Sequence, residues 1–509
     1  MQKSHLAALY LLSFLGITGL GLLNLYMPFT ADQVAVMIGA KTLSAGGQLY
    51  VDFWDNKMPA LYWFYQLAGE SFGYTEAGIH AFDLVWMTVF SVVLVTTLRS
   101  VFDWKVLPAV APVAVVGTYY ASVEFVQLTQ LEMLVGFPIF VCAWSASKVV
   151  ATESRDRAFA LASGVFAGIT VSFKLLFAPV AVAFWIVASF RLLRDGTSAR
   201  QVLTTVWLPV SIGTVAVLGI IVWLFWRNGA LDELLWTAFV YPPQALELAA
   251  PAPWFRRIAS TLFYLAYFVP WAIPIGIALW RWCKRDADTF TTMMAWWLVI
   301  GLCLIAVQRF SWWTYHFLFI FTPSALLALR GVDYLRGDLR SKDVQHAGMV
   351  VATVLIMGIS TLTIPITQKL QAHIEILFNR EGKPSDLMTV LNADYPEIYQ
   401  STRFLRDRKA RKGPIYVMGD PLYYHLSGRQ PALPMIGWPW AYFLQSQWYA
   451  LPAQLKEAKP AYLFVDKLNQ KFLESRGGGV KEFIGQHYTA LFRDPHGHWY
   501  AAKPRSWDD

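Results

Sequence analysis

The chain has 509 residues, of which 56% are hydrophobic and only 15% are charged, and its mean hydropathy is +0.41. This composition indicates a polytopic membrane protein rather than a soluble enzyme. The formal net charge of +8 is explained first by basic cytoplasmic loops, so it does not imply a nucleic-acid partner. Cys142, Cys283 and Cys303 lie in or beside apolar stretches, and their spacing predicts neither a disulfide framework nor a zinc site.

Apolar stretches long enough to cross a bilayer predict about eleven transmembrane helices. They lie at about 6–27, 77–98, 106–121, 129–147, 158–173, 175–190, 203–226, 259–280, 289–307, 315–329 and 347–366. The first stretch lacks a small-residue cleavage site, so we interpret it as a retained helix. With the N-terminus inside, Lys and Arg are more frequent in the connections assigned to the cytoplasm. An odd number of spans then places the C-terminus outside.

The predicted topology divides the chain into a transmembrane domain, 1–366, and a soluble C-terminal domain, 367–509. The first external loop, about 28–76, has the sequence pattern of two helices that lie along the membrane. Thr30 and Gln33 form the capping box of the first of these helices, and Pro59 suits the first turn of the second.

Four residues of this loop are candidate site residues. Asp32 falls in the first turn of a helix, where a carboxylate either interacts with the helix dipole or does chemistry. Lys57 is placed to meet a lipid phosphate, although a snorkelling lysine is the commoner explanation. Asp55 and Tyr62 are weaker candidates for substrate binding, because an aspartate can cap a turn and a tyrosine can anchor a helix at the membrane interface.

Two ionisable residues farther along the chain lie at the same predicted outer face. Glu132, in "QLTQLEMLVGFP", stands at the entrance of the fourth span; Thr129 offers a capping-box alternative to a functional role for Glu132. Lys174 lies between the fifth and sixth spans, where the positive-inside rule disfavours a basic residue, and an anionic partner would explain it.

Three arginines and a histidine complete the outer set. Arg256 and Arg257 end a long connection that could cover a lipid entry groove; they either hold a phosphate or anchor the next helix. Arg309 and His316 face the same compartment, and His316 is a weak candidate because a lone histidine at a helix start is more often a cap.

The C-terminal tail has the pattern of a small α/β domain. The runs "GPIYVMGD" (413–420) and "PAYLFVD" (460–466) are apolar and end in turn formers, and "HWYAAKP" closes the domain. The stretch "GDPLYYHLSGRQPALP" offers aromatics and Arg429 for sugar binding, but an ordinary strand-to-helix turn explains the same residues.

The order of several short motifs resembles a known family. Asp32 is followed by "AGGQLYVDFWDNKMPALYW", "GYTEAGIHAFD", "QLTQLEMLVGFP" and "YHFLFIFTPSALLAL". This order is similar to that of the bacterial relatives of protein O-mannosyltransferases and the lipid A aminoarabinose transferase, which are membrane glycosyltransferases of the GT-C type. The resemblance covers the membrane part and, more loosely, the tail. It implies a GT-C transmembrane fold with a small extracytoplasmic α/β domain in the bacterial inner membrane.

The resemblance also implies a reaction. A sugar passes from a polyprenyl-phosphate donor to an acceptor on the outer side, with inversion at the anomeric carbon. Asp32 matches the family's general base, Glu132 its second acidic position, and Lys57 the residue that contacts the lipid phosphate. The family often has Asp-Glu where this chain has Asp32-Gln33.

Glycosyl transfer needs a carboxylate to take a proton from the hydroxyl and cations to stabilise the departing phosphate. The candidate cations are Lys57, Lys174, Arg256, Arg257 and Arg309. No cofactor is required by the sequence; a divalent metal bridging Asp32 and Glu132 is an open alternative. The sugar is not identified, and the acceptor is a lipid, a polysaccharide or a protein.

Two other functional classes fit many of the same features. A transporter or flippase for lipid-linked sugars, or a non-catalytic subunit that binds them, would also need many spans and outer basic residues. Few charged residues lie inside the predicted spans, Asp83 being one exception, and no inverted repeat is visible, which argues against a transporter.

Overall fold

A computed structural model describes residues 3–150, 154–248, 251–268, 271–339, 366–371, 373–374, 391–392, 394–438, 444–475 and 479–504. The chain forms two compact units, each built from three separate stretches. The first unit comprises Met1–Tyr26, Ala77–Val222 and Pro251–Glu381. The second comprises Met27–Glu76, Trp223–Ala250 and Gly382–Asp509. The first external loop and the C-terminal tail therefore belong to the same compact unit.

Helices account for most of the described residues from 3 to 339. They are α1 (Lys3–Leu22), α2 (Ala31–Ser44), α3 (Pro59–Phe72), α4 (Glu76–Leu98), α5 (Leu107–Pro112), α6 (Thr118–Ser122), α7 (Leu131–Leu134), α8 (Gly136–Ser147), α9 (Ser154–Phe173), α10 (Ala178–Arg194), α11 (Ala199–Val202), α12 (Leu208–Arg227), α13 (Leu231–Leu235), α14 (Tyr241–Leu248), α15 (Trp254–Phe268), α16 (Ala272–Cys283), α17 (Thr289–Val307) and α18 (Phe321–Leu339). Short π-helical segments, Val113–Gly117, Leu203–Trp207 and Trp236–Val240, join several of them.

Six segments of the described chain are long and apolar enough to cross a membrane. They are Ser4–Leu22, Glu76–Leu98, Leu175–Arg194, Ala199–Arg227, Thr289–Val307 and Thr314–Gly337. Shorter apolar helices cover Leu107–Ser122, Leu131–Ser147 and Ala272–Cys283. These segments confirm a polytopic helical membrane protein, but they do not confirm the count of eleven spans.

Two of the predicted spans include residues that the structure does not describe. Within the stretch 259–280, the structure describes α15 up to Phe268 and α16 from Ala272. The predicted span 347–366 lies outside the described residues except for its last residue.

Glycine brings α9 and α12 into close contact. A Cβ atom at Gly164 would lie 2.2 Å from the Val210 carbonyl oxygen, and one at Gly213 would lie 2.5 Å from the Leu161 carbonyl oxygen. The Thr214 hydroxyl donates to the Gly164 carbonyl at 3.0 Å. Small residues and hydroxyl hydrogen bonds are how helices associate tightly in lipid, where no hydrophobic force draws them together.

The second unit begins with the two predicted loop helices. Gln33 Oε1 accepts the Thr30 N–H at 2.7 Å, which confirms the predicted capping interaction at the start of α2. The helix ends at Ser44, and Gly46 follows with φ +85°, a conformation that favours glycine. Pro59 is the first residue of α3, as predicted. Gln33, which departs from the family pattern, therefore serves as a capping residue.

The tail forms a four-stranded mixed sheet in the order β1-β2-β4-β3. Its strands are β1 (Ile415–Met418), β2 (Tyr462–Asp466), β3 (Tyr488–Arg493) and β4 (Gly497–Ala502). β1 and β2 are parallel, and β4 pairs antiparallel with both β2 and β3. The helices of this region are Asp394–Ser401, Leu422–Ser427, Gln445–Ala458, Lys467–Ser475 and Val480–His487. This arrangement confirms the predicted small α/β region, and β1, β2 and β4 overlap the runs 413–420 and 460–466 and the closing "HWYAAKP".

Candidate functional site

Three charged residues of the first loop meet around one ammonium group. Lys57 Nζ lies 2.7 Å from Asp55 Oδ2 and 3.3 Å from Asp32 Oδ1. The side chains are accessible to different degrees: 26% for Asp32, 18% for Lys57 and 11% for Asp55. We call these three residues the Asp32 cluster. Asp32 is its most accessible member, so a molecule reaching the cluster meets a carboxylate.

Two buried tyrosines hold the Asp32 cluster in place. The Tyr62 hydroxyl donates to Asp55 Oδ2 at 3.0 Å, and the Tyr50 hydroxyl donates to the Lys57 carbonyl at 2.7 Å. The Asn56 N–H donates to the other oxygen of Asp55 at 2.7 Å. Tyr62 is wholly buried in the structure. Its hydroxyl is a fixed donor to Asp55, so this ring is not a surface anchor.

The electrostatics of the cluster keep its lysine charged. Burial by itself would lower the pKa of Lys57, but the nearby carboxylates of Asp55 and Asp32 more than offset burial and raise that pKa. Burial, and after it the charge of Asp55, raises the pKa of Tyr62 and of Tyr50, so both phenols remain neutral donors. With two carboxylates and one ammonium, the cluster has a net charge of about −1.

A second acid–lysine pair lies in the first unit. Lys174 Nζ donates to Glu132 Oε1 at 3.0 Å and to Gln308 Oε1 at 2.7 Å. Glu132 is 2% accessible, whereas Lys174 is 24% accessible. The Glu132 Oε2 atom is buried and makes no hydrogen bond with any residue that the structure describes. We call Glu132, Lys174 and Gln308 the Glu132 cluster; it presents an ammonium rather than a carboxylate.

The capping-box alternative for Glu132 is wrong. Gln130, not Thr129, occupies the cap position of α7, and Thr129 has φ +54°. The Thr129 N–H donates to the Tyr119 hydroxyl at 2.8 Å instead. The Glu132 carboxylate accepts a hydrogen bond from Lys174, which lies in the connection between α9 and α10, so it does not fold back to cap its own helix.

The remaining basic candidates lie elsewhere in the first unit. The Arg256 guanidinium lies 4.7 Å from the centre of the Trp313 ring, and the Arg309 carbonyl accepts the Ala252 N–H at 2.9 Å. The Nε atom of Arg257 is buried and has no partner among the described residues. No described hydrogen bond or ion pair joins these arginines to either cluster.

His316 is buried in the first unit, near the start of the last described span. The backbone N–H of His316 donates to the Trp313 carbonyl at 3.2 Å. The imidazole ring packs edge-on against the ring of Tyr315, with the two ring centres 4.8 Å apart. The Nδ1 atom has no hydrogen-bond partner in the described part of the chain. His316 is therefore packed inside the unit rather than capping a helix at an exposed position.

Sequence reasoning missed the residues that hold the two pairs. Nothing in the sequence marks Gln308 except its position beside Arg309 at the end of a span, and Tyr50 has no recognisable motif. The described residues contain no group of three or more His, Cys, Asp or Glu side chains able to hold a metal ion. The divalent metal therefore stays a prediction.

No protein-family model matches this sequence, and no curated protein matches it. The fold, however, is similar to crystal structures of ArnT from Cupriavidus metallidurans. The form bound to undecaprenyl phosphate has a TM-score of 0.58 and 13% identity, covering 99% of this chain and 100% of that one. The apo form has a TM-score of 0.56 and 13% identity, covering 98% and 100%. This likeness confirms at the level of the fold the resemblance inferred from the motifs.

Proposed function

We propose that this chain is an inverting membrane glycosyltransferase that moves a sugar from a polyprenyl-phosphate donor to an acceptor on the outer side of the membrane. The observation that carries this proposal is the Asp32 cluster, in which an accessible carboxylate lies 3.3 Å from a lysine ammonium. A base for a hydroxyl and a cation for a phosphate are the two groups that such a transfer requires. The ArnT fold, one example of which was crystallised with undecaprenyl phosphate, supports this class of donor.

The proposed step is a single displacement. The oxygen of an acceptor hydroxyl attacks the anomeric carbon of the sugar, and the bond from that carbon to the phosphate oxygen breaks. The hydroxyl proton passes to the Asp32 carboxylate, and the electron pair leaves with the polyprenyl phosphate. Attack from the side opposite the leaving group inverts the anomeric carbon.

Lys57 is proposed to stabilise the departing phosphate. A lysine ammonium has three N–H donors. Two of them are directed at Asp55 and Asp32, at 2.7 and 3.3 Å, which leaves one for a phosphate oxygen. Because the carboxylates keep Lys57 charged, no proton has to be gained when the phosphate leaves. Asp55 and Tyr62 are positioning residues in this scheme, since they act through Lys57.

The Glu132 cluster is proposed to supply a second cation. Its ammonium is accessible while its carboxylate is buried, so Lys174 is the member that an anionic group would meet. Glu132 orients Lys174 through the hydrogen bond that its Oε1 accepts at 3.0 Å. Arg256, Arg257 and Arg309 are further proposed phosphate contacts, and His316 is a weaker proposed substrate contact.

We further propose that the protein lies in the bacterial inner membrane with its N-terminus inside and its C-terminal α/β region outside. The distribution of Lys and Arg over the connections supports this orientation. Metal dependence is a proposed alternative: a divalent cation, for which Asp32 and Glu132 are the candidate ligands from the sequence, would stabilise the phosphate in place of cationic side chains. Activity in the presence of EDTA distinguishes the two.

The test uses the full-length protein in lipid nanodiscs with a panel of radiolabelled polyprenyl-phosphate sugars. Wild type, Asp32→Asn and Glu70→Gln are compared, because Glu70 is an exposed carboxylate of the same loop that accepts hydrogen bonds from Ser44 and Gln66 and is not joined to Lys57. We expect Asp32→Asn to lower release of polyprenyl phosphate by about 10²- to 10⁴-fold while keeping donor affinity. Glu70→Gln should match wild type.

Three outcomes would contradict the proposal. Unchanged turnover in Asp32→Asn would remove Asp32 as the base. Donor binding without turnover in wild type, for every sugar and acceptor tried, would favour a transporter or a binding subunit. Retention of configuration in the product would exclude the single displacement.

A further inference from the structure

The second unit contains a cavity of about 180 Å³. It is formed where α2, the loop after it and a stretch of the C-terminal region meet. Its lining includes Ile38 and Thr42 of α2, Asp52 and Phe53 of the loop, and the stretch 430–434. The loop and the C-terminal stretch are joined directly, because the Trp54 N–H donates to the Pro434 carbonyl at 2.9 Å.

The cavity opens to solvent, since Asp52, Gln430 and Pro434 are exposed, and its lining carries polar groups that make few hydrogen bonds within the described chain. Asp52 Oδ2 accepts the Gln48 N–H at 2.7 Å, but Asp52 Oδ1 makes no hydrogen bond with a described residue. The same holds, within the described chain, for the side-chain amide of Gln430 and for the backbone N–H and C=O of Leu433. Thr42 donates to the Ile38 carbonyl at 3.0 Å and keeps its acceptor lone pairs.

The lining points to a small, hydroxylated ligand. Pockets for drug-sized apolar ligands have about 300–1,000 Å³ and mostly hydrophobic walls. This cavity is smaller and combines a carboxylate, an amide, a hydroxyl and peptide groups with one aromatic ring, Phe53, and with the aliphatic side chains of Ile38 and the stretch 431–434. Hydroxyls that both donate and accept can satisfy such a mixed set, whereas an apolar side chain cannot.

The charged residues at the cavity restrict the class of ligand further. Asp52 would repel an anionic group. Arg429, which the sequence offered as a sugar ligand, donates to the carbonyls of Leu405 and Gly413 at 2.7 and 3.1 Å. Its guanidinium is therefore already engaged with the backbone. A neutral or amino sugar fits this cavity better than a phosphorylated group does.

The cavity is close along the chain to the proposed base. Ile38 follows Asp32 by six residues in α2, which corresponds to about 9 Å along a helix axis. Phe53 of the cavity packs against Tyr62, with ring centres 5.7 Å apart, and Tyr62 donates to Asp55. The cavity and the Asp32 cluster thus share the same helix and the same loop.

We infer that this cavity is a subsite for one saccharide unit of the acceptor, so that the acceptor is a sugar-containing molecule rather than a peptide. The inference rests on the proposed function. A sugar unit held in the cavity would lie within the reach of one or two further units from the Asp32 carboxylate. Binding energy from this remote unit would then position the reacting hydroxyl.

The experiment is saturation-transfer NMR on the full-length protein in nanodiscs without donor. The probes are N-acetylglucosamine, glucosamine, methyl glucoside, a serine-rich peptide and inorganic phosphate. The variants are Asp52→Asn and Gln430→Trp, which come from different walls of the cavity, and the matched control is Gln486→Trp, an exposed glutamine of the same unit. Thermal midpoints check that each variant is folded.

We expect a saccharide signal in wild type and in Gln486→Trp, and a loss of at least about tenfold in saccharide affinity in both cavity variants. In transfer assays, the cavity variants should raise the KM for a saccharide acceptor more than they lower kcat. No saccharide binding by wild type, or binding unchanged in both variants, would overturn the inference. Binding of the peptide or of phosphate at this cavity would overturn the assignment of its ligand as a saccharide.

The two proposals fail in different ways. Saccharide binding is measured without donor, so a protein that binds sugar but never releases polyprenyl phosphate refutes the proposed glycosyltransferase and, with it, the acceptor role of the cavity. A protein that turns the donor over but binds no saccharide refutes only the cavity.

Discussion

The two units of this protein each contain a lysine paired with an acid, and the pairs are arranged in opposite senses. In the Asp32 cluster the acid is the more accessible partner, at 26% against 18% for Lys57. In the Glu132 cluster the lysine is the more accessible partner, at 24% against 2% for Glu132. The same two residue types therefore present a carboxylate in one unit and an ammonium in the other.

The difference shows that charge type alone does not assign a role. Lys57 is shared by two carboxylates, so the Asp32 cluster has a net negative charge near an accessible acid. Lys174 has one carboxylate and one neutral amide as partners, so the Glu132 cluster is neutral overall. A proton acceptor is expected in the first arrangement, and an anion contact in the second.

The largest effect expected on donor binding is that of removing the shared lysine. Lys57→Met should weaken binding of polyprenyl phosphate about 10- to 150-fold, because a charged hydrogen bond contributes about 1.5–3 kcal/mol. Binding is measured in nanodiscs with fluorescent polyprenyl phosphate, and Lys41→Met, a lysine of α2 beside Tyr74, is the control. Equal losses in both variants would show that Lys57 acts only through general charge.

The Glu132 cluster should respond mainly in stability. Lys174→Met leaves Glu132 buried without its cation, and we expect the free energy of unfolding to fall by about 1–3 kcal/mol. The double variant Glu132→Gln/Lys174→Met should recover much of this loss, because no charge is then buried alone. Denaturation in mixed micelles measures the free energies of unfolding for this double-mutant cycle. Additive losses would mean that the two residues do not interact.

A smaller effect is expected from Tyr62→Phe. The substitution removes the donor at 3.0 Å from Asp55 and leaves the ring, so a cost of about 1 kcal/mol is expected. If Asp55 positions Lys57, this cost should appear as roughly fivefold weaker donor binding. Tyr50→Phe serves as a comparison, since that hydroxyl bonds the Lys57 carbonyl instead. Reduced stability with unchanged donor affinity would assign Tyr62 a purely structural role.

The smallest expected effect concerns pH. The contribution of Lys57 to the free energy of unfolding should not change with pH near neutrality. The folded-state pKa of Lys57 is raised above its unfolded value of about 10.4, so its contribution to stability is complete below the unfolded pKa and is lost only as pH rises through the folded one. The difference in unfolding free energy between wild type and Lys57→Met should stay constant from about pH 6 to 9. A decline within that range would show that Lys57 is not held as a cation.

Much of the local structure was predictable because its causes are local. The Thr30–Gln33 capping interaction, Pro59 at the start of α3 and Asp32 in the first turn of α2 all follow from residues within one helical turn. The members of the Asp32 cluster were named individually as candidates from their place in the first loop, but only the tertiary structure showed that Lys57 pairs with Asp32, 25 residues away.

Composition and periodicity determined that this chain crosses a membrane, where its caps and strands begin, and which charged residues stand at the ends of its spans. They do so because bilayer length, helix capping and strand alternation act over a few residues at a time. Only the tertiary structure joined Lys174 to Glu132 and Gln308, which are 42 and 134 residues away. Only it decided which partner of each pair is buried, because burial depends on packing between segments that are distant in sequence.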